Sequence, residues 1–323
     1  MKISVIICTH NPRKDYLQKT LNSIRMQTLH TCDWELLLID NASQPEVKLP
    51  RSWLDGLQAK LVCEKQIGLT KARLRGISES KGNLLVFVDD DNILQTNYLE
   101  KAWGIYNNYS SLGCFGAGNI EPEYEAEPNA EVKPHTCYLA LRKNTHDLWS
   151  NNPDDDSVPW GAGLCIRRSV AIQYASIMNS VKSEELLGRN GTNLLSCEDN
   201  EISFTACQMQ LGKGIFHELK IVHLIDKKRV EKQYIWNLVE SISYSRALLL
   251  NKYKSYIPEY ESVPGWRTVG DLLKTKNLNM QNMIKELRRT WQKMKKSKYD
   301  QAIDAAWILG KNRALNEIIR RTI

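Results

Sequence analysis

Leu84-Leu85-Val86-Phe87-Val88-Asp89-Asp90-Asp91 is a five-residue apolar run that ends on three carboxylates. The run has the length of a strand and no polar alternation, which predicts a strand buried on both faces. Three adjacent carboxylates at its end repel one another unless a cation or hydrogen-bond donors compensate. A hard divalent cation shared with diphosphate oxygens would do so. A solvated acidic turn is the plain alternative for an isolated triplet. The same pattern recurs upstream. Ile3 to Cys8 is a β-branched apolar run ended by Thr9-His10-Asn11-Pro12, where Asn11 is expected to cap a helix with Pro12 at its first position. Leu17, Leu21 and Ile24 then recur at helical spacing. Trp34 to Ile39 reads as a second strand, closed by Asp40-Asn41-Ala42-Ser43, and Lys60 to Cys63 as a third. Leu69 to Ser80 reads as a helix stopped near Gly82. Strands alternating with helices predict an α/β fold with a mostly parallel mixed sheet flanked by helices. Ligands of such sheets bind at the carboxyl ends of the strands. Here those ends carry Thr9, Asn11, Asp40 and the Asp89–Asp91 triplet.

Further on the pattern is less regular. Pro122, Pro128, Pro134, Pro153 and Pro159 predict a loop-rich insertion over 119–159. Trp160 to Arg168 reads as a strand punctuated by Gly161 and Gly163, residues 177–197 as a polar loop, and Asp199 to Leu211 as a helix stopped by Gly212. Lys213 to Ile225 is extended, and from 230 onward the pattern is helical with a break at Pro258 and Pro264.

The chain has 323 residues and a formal net charge of +7, unevenly placed. Residues 227–323 hold 21 basic and 9 acidic side chains, a net of +12, while residues 1–226 carry a net of −5. The organisation expected is a catalytic domain over 1–226 and a basic helical region over 227–323. A hydrophobic content of 42% excludes wholesale disorder. No run approaches the roughly 18 apolar residues of a membrane span, and the first residues turn polar too soon for a signal peptide. The eight cysteines form no CxxC pair and read as reduced, buried residues of a cytosolic protein.

Several side chains carry chemical readings beside plainer ones. Thr9 and Asp40 suit contacts to a nucleobase; an Asx turn and a helix cap are the plain readings. Arg73, with Lys71 and Arg75, offers cations to phosphate or merely a solvated helix face. Glu198-Asp199 opens a helix, where acids are favoured by the dipole alone. His223 stands between Val222 and Leu224, an apolar setting in which a ligand role is open.

Taken together, these residues resemble the family 2 glycosyltransferases, inverting enzymes of the GT-A fold. Ser4 to Asn11 is similar to the family's first strand and nucleotide loop, and Leu38 to Ser43 to its second. Gln66-Ile67-Gly68 with Ala72-Arg73-Leu74-Arg75-Gly76 resembles its Asn-x-Gly and Ala-Arg-Asn-x-Gly segment, with Gln66 and Leu74 standing where Asn is usual. Val88 to Asp91 resembles the Asp-x-Asp metal motif, Trp160-Gly161-Ala162-Gly163 the acceptor-side strand, and Cys197-Glu198-Asp199 the segment holding the catalytic base. The resemblance implies a nucleoside-diphosphate sugar donor bound by Thr9, Asn11, Asp40, Arg73, Asp89 and Asp90. It implies Mn²⁺ or Mg²⁺ on Asp89, Asp91 and His223, and Asp199 as base with Trp160, Gly161, Ala162, Gly163 and Glu198 on the acceptor side. Bacterial relatives often build surface polysaccharide on saccharide or lipid-linked acceptors at the inner face of the membrane. The basic tail, with Met283, Leu287, Trp291 and Met294 on one stripe of Met283 to Lys298, suits docking on anionic lipid there, or packing on the body; its apolar positions also suit a homodimer. The rival readings are a sugar-1-phosphate nucleotidyltransferase, which the absence of glycine after the first strand opposes, and a non-catalytic lipid- or nucleic-acid-binding protein, which leaves the acidic cluster unexplained. No nucleic-acid partner is expected.

Overall fold

Residues 1–191, 193–261 and 297–322 are described by the structure, a computed structural model. Both faces of the central strands are apolar, so both need cover. In β1 (Ile3–Thr9), Ile3, Val5 and Ile7 point to one face and Ile6 to the other. The first face is covered by Leu17, Leu21 and Ile24 of α1 (Lys14–Arg25). β2 (Trp34–Asn41) and β3 (Ala59–Glu64) follow. α2 (Leu69–Glu79) lays Ala72, Leu74 and Ile77 on the opposite face. β4 (Leu84–Asp89) is followed at once by the short β5 (Asn92–Leu94). α3 (Tyr98–Asn108) joins α1 on its face of the sheet. Next come the 13-residue β6 (Leu112–Tyr124), the short β7 (Arg142–Lys143) and β8 (Leu148–Ser150), and β9 (Leu164–Arg167). α4 (Arg168–Asn179) and α5 (Glu198–Gln208) join α2, and β10 (Gly212–Ile225) ends the sheet.

The strand order is β3-β2-β1-β4-β9-β6-β10-β5, with β7 on β6 and β8 on β10. The half containing β1 to β4 is parallel, and β9 enters antiparallel between β4 and β6. β6 and β10 pair in parallel, and β5 turns back antiparallel on β10. Register then aligns the strand ends: Thr9 faces Asp40 and Cys8 faces Asp89.

Several expectations change. Asn11 does not cap α1; its φ of 50° is left-handed, and Arg13 holds the cap position two residues later. The predicted strand from Trp160 shrinks to Leu164–Arg167, because residues 161–163 form a turn. α3 and α4 were not predicted. Residues 119–124 of the predicted insertion are strand, not loop. Within the insertion, fully buried Lys213 reaches from β10 to Asp155 Oδ1 (2.5 Å) and Ser157 Oγ (2.6 Å), fixing the loop there. All eight cysteines are free, but Cys32, Cys63 and Cys137 are exposed rather than buried.

Contacts divide the chain into two units, Met1–Glu127 with Thr136–Arg229, and Pro128–His135 with Val230–Ile323. In the second, α6 (Lys232–Lys254) packs on α7 (Lys298–Thr322). Ser243 Oγ donates to Trp307 O (2.6 Å), and Arg313 lies 3.7 Å over the Tyr244 ring. Residues 283–296 of the predicted amphipathic stretch lie outside the described residues. No described helix is long and apolar enough to cross a membrane.

Two glycines test this packing with opposite signs. A Cβ on Gly82 would press on the backbone of Ile3 and Ser4, whereas one on Gly104 in α3 meets nothing within 4 Å. Gly82→Ala should destabilise by about 1–3 kcal/mol through overpacking, and Gly104→Ala should stabilise by about 0.5–1 kcal/mol through helix propensity. Urea unfolding of both variants checks the pair.

Candidate active site

The three carboxylates after β4 each meet a different partner. Asp90 accepts a hydrogen bond from the hydroxyl of Thr9, which ends the neighbouring β1. Burial, then the charge of Asp91, pushes the Asp90 carboxyl up to about 7. Asp89 is raised by burial and by Asp91, and is opposed by the charges of Arg73, His223 and Arg189. Asp91 is held differently. Burial alone would raise it, but His223 Nε2 at 3.3 Å and Arg229 Nη1 at 2.8 Å from Oδ2 hold it well below the usual carboxylate range. Asn92 Nδ2 donates to its other oxygen (3.1 Å).

Sheet register produces this meeting. β5 pairs Asn92 with His223 on β10, and Leu224 N donates to Asp91 O (2.8 Å). The predicted metal residues Asp91 and His223 are therefore brought together. Asp89 does not complete a set with them: among the described residues no three His, Cys, Asp or Glu side chains converge as a metal cage. The two that do converge fit a hard divalent ion. Their donor atoms are 3.3 Å apart, near the separation of about 3.0–3.4 Å expected of two ligands bonded at about 2.1 Å. His223 is buried with Nε2 turned toward Asp91, and Nδ1 has no partner among the described residues. Ligand oxygens would have to complete the shell.

The donor-side expectations are partly redrawn. Asp40 is buried, and its oxygens accept from the N–H groups of Ser43 (3.2 Å) and Val47 (2.8 Å), so it shapes its own loop. Asn11 ties to that loop through Ser43 Oγ (2.8 Å) and Gln44 N (2.8 Å). Arg73 is not an open donor-binding cation. It is 2% exposed, and Nη1 lies 3.1 Å from Glu198 Oε1, an ion-pair contact without hydrogen-bond alignment. Burial works to deprotonate it, and the charges of Glu198, Asp89 and Asp199 outweigh that. Glu198, expected on the acceptor side, is correspondingly buried against Arg73.

Asp199 stands at the start of α5, after Cys197 in left-handed conformation (φ 75°). Its oxygens accept from Gly161 N (2.9 Å) and Asn200 N (2.8 Å), which fixes the carboxylate toward the 160–163 turn. That turn needs its glycines. A side chain on Gly161 would strike the Arg73 guanidinium, and Gly163 has φ +70° with Tyr98 and Ile221 against it. Ala162 is buried in the same turn. The Trp160 ring is covered by the Arg142 guanidinium at 3.5 Å, so it does not offer both faces to an acceptor. Burial lowers Arg142 to about 10, against the charges of Asp199 and Asp156.

Sequence reasoning missed Arg142, Arg189, Arg229 and Asn41. Asn41 binds Gly68 N (2.8 Å) and Gln66 O (2.7 Å), locking the loop before α2. Arg189 lines a cleft of about 440 Å³ between that loop and residues 183–190. Asn41 stands beside Asp40 in a segment already singled out, whereas none of the three arginines stands in a local pattern that distinguishes it. His217 pairs with Asp147 at the surface (2.7 Å), apart from the site.

The model of "Glycosyl transferase family 2" matches residues 4–172, half of the chain. The chain belongs to that family. Glycosyltransferase AglE of Haloferax volcanii is 35% identical over 127 residues, 38% of this chain and 40% of that protein. Uncharacterized glycosyltransferase YwdF of Bacillus subtilis is 32% identical over 101 residues, 31% and 37% of the two. The chain thus spans about two fifths of these relatives. The mannosyltransferase PcManGT from Pyrobaculum calidifontis, solved with GDP-Man and Mn²⁺, superposes with a TM-score of 0.60 over 98% of this chain and 87% of that one, at 13% identity. The fold is GT-A. In this family 2 chain the matched residues include Thr9, Asp40, Arg73 and the triplet, while Asp199, His223 and Arg229 lie beyond them.

Glu198 gives a pH-dependent prediction. Burial, above the other influences, pushes its carboxyl up to about 7 from an ordinary 4.5. A carboxyl raised on folding contributes its full stability below 4.5, and that contribution is lost as pH climbs through 7. Glu198→Gln removes the loss, so its Tm relative to wild type should be higher at pH 8 than at pH 5. Calorimetry at both pH values checks this, and a flat or falling difference would contradict it.

Proposed function

We propose that this family 2 chain transfers a sugar from a nucleoside-diphosphate sugar to an acceptor hydroxyl, with inversion at the anomeric carbon. The observation that carries the reading is the placement of Asp199. Its carboxylate is fixed at a helix start beside a glycine turn, within charge range of Arg73 and Arg142. An acceptor hydroxyl held at that turn loses its proton to Asp199 as it attacks. The Arg73–Glu198 pair sets where α5 begins and so where Asp199 stands; Glu198 is a positioning residue. Asp91 and His223 would hold Mn²⁺ or Mg²⁺, which supplies Lewis-acid neutralisation of the departing diphosphate. Thr9 keeps Asp90 in place beside them.

Ligands in solved structures of the same fold support this reading: GDP-Man with Mn²⁺ in PcManGT, and UDP, GalNAc and Mn²⁺ in GalNAc-T7. On the same reading, the basic C-terminal region brings the enzyme to an anionic membrane surface carrying a lipid-linked acceptor, in surface polysaccharide synthesis.

A hydrolysis screen of UDP-, GDP- and dTDP-sugars, with and without Mn²⁺, identifies the donor. With that donor and an acceptor, Asp199→Asn should lower kcat by about 10²–10⁴-fold, or about 3–5 kcal/mol of barrier, with donor binding retained. Transfer undiminished by the substitution would remove Asp199 from the base role.

A further inference from the structure

Among the described residues Arg229 is the cation closest to Asp91, and neither the family match nor the motifs reach it. It stands in the 3-10 turn Lys227–Val230 that follows β10. Its Nη1 lies 2.8 Å from Asp91 Oδ2 and 3.1 Å from His223 Nε2. Those two atoms, 3.3 Å apart, are the pair proposed above to bind a divalent ion. One positively charged nitrogen therefore sits between the lone pairs that a metal would use.

The position is held from more than one side. β5–β10 pairing fixes His223 opposite Asn92, and Asn92 Nδ2 fixes the second Asp91 oxygen at 3.1 Å. Asp91 and His223 stay close to each other with the guanidinium between them. A divalent ion entering the same gap would meet a full like charge within about 4 Å, a repulsion that the local dielectric does not remove. The guanidinium and the metal are alternatives, not neighbours.

We infer that Arg229 is the resident counter-cation of the metal site, keeping Asp91 and His223 converged before metal binds and leaving the gap when a divalent ion takes its place. The inference rests on the metal reading in the proposed function, and it adds a competition that sets how tightly the site takes metal.

The test is a titration of the full-length chain with Mn²⁺ alone, without nucleotide, read from the electron paramagnetic resonance signal of the free ion. Wild type, Arg229→Gln, and each of these with Asp91→Asn are compared. Arg229→Gln should bind Mn²⁺ at least about tenfold more tightly than wild type, as expected of removing a unit charge beside the ion. Asp91→Asn should abolish that binding in both backgrounds, which ties the signal to this site. Measurable binding in Arg229→Gln with none in wild type supports the competition equally. Equal or weaker binding by Arg229→Gln, still sensitive to Asp91, overturns the inference and leaves the metal reading standing. Absence of Asp91-sensitive binding in both proteins overturns the two together. Arg229→Met serves if Arg229→Gln does not fold.

Discussion

Three carboxylates on consecutive residues, half-buried at the end of a strand, are the constraint around which this site is built. Removing charges from water is costly, and crowding like charges adds to that cost. The protein meets the problem differently at each position. Asp90 is raised by burial and takes a hydroxyl donor. Asp89 lies in the field of Arg73 and Arg189. Asp91 stays ionised because His223 and Arg229 converge on it. The triplet is therefore one charged position, Asp91, preceded by two whose charge is discouraged.

Arg73 extends the same logic away from the triplet. It is buried among Glu198, Asp89 and Asp199, and removing one partner of a buried charge pair commonly costs about 3–5 kcal/mol. Its guanidinium also fills the space that a Gly161 side chain would take. One cation thus links the donor-side strand end, the glycine turn and the start of α5. Asp199 and the triplet are held relative to one another by an interior ion pair rather than by surface loops.

The parts legible in the sequence are those whose cause is local. The buried strands, α1 and α2 follow from apolar runs and helical spacing, and the acid-bearing strand ends follow directly. Asp199 and His223 were named through an ordered set of motifs that resemble a family, not through their neighbours. α3 and α4 also carry buried residues at helical spacing, Tyr98, Leu99, Ala102 and Ile105 in one and Val170, Ala171, Tyr174 and Met178 in the other, so their signal is local too, although the sequence reading passes over it. Asn11 was misassigned because a cap and a left-handed turn use the same side chain. Arg73 and Glu198 looked like a solvated face and a helix-start acid, since a sequence does not show that the two pair with each other in the interior.

That Asp91 and His223 touch is not legible from the neighbours of either residue, for a topological reason. Asp91 and His223 are 132 positions apart, and they meet only because β5 turns back antiparallel on β10. β5 has three residues, too few for a pattern of its own. Its placement depends on β10 already lying along β6, a parallel pairing that must itself close a long loop. A one-residue slip of β5 along β10 would take Asn92 from its place opposite His223 and carry Asp91 away from His223 and Arg229. The charge balance of the triplet, the convergence of Asp91 Oδ2 with His223 Nε2 and the seating of Arg229 are thus consequences of a single strand register. That register forms only when the far half of the sheet is complete.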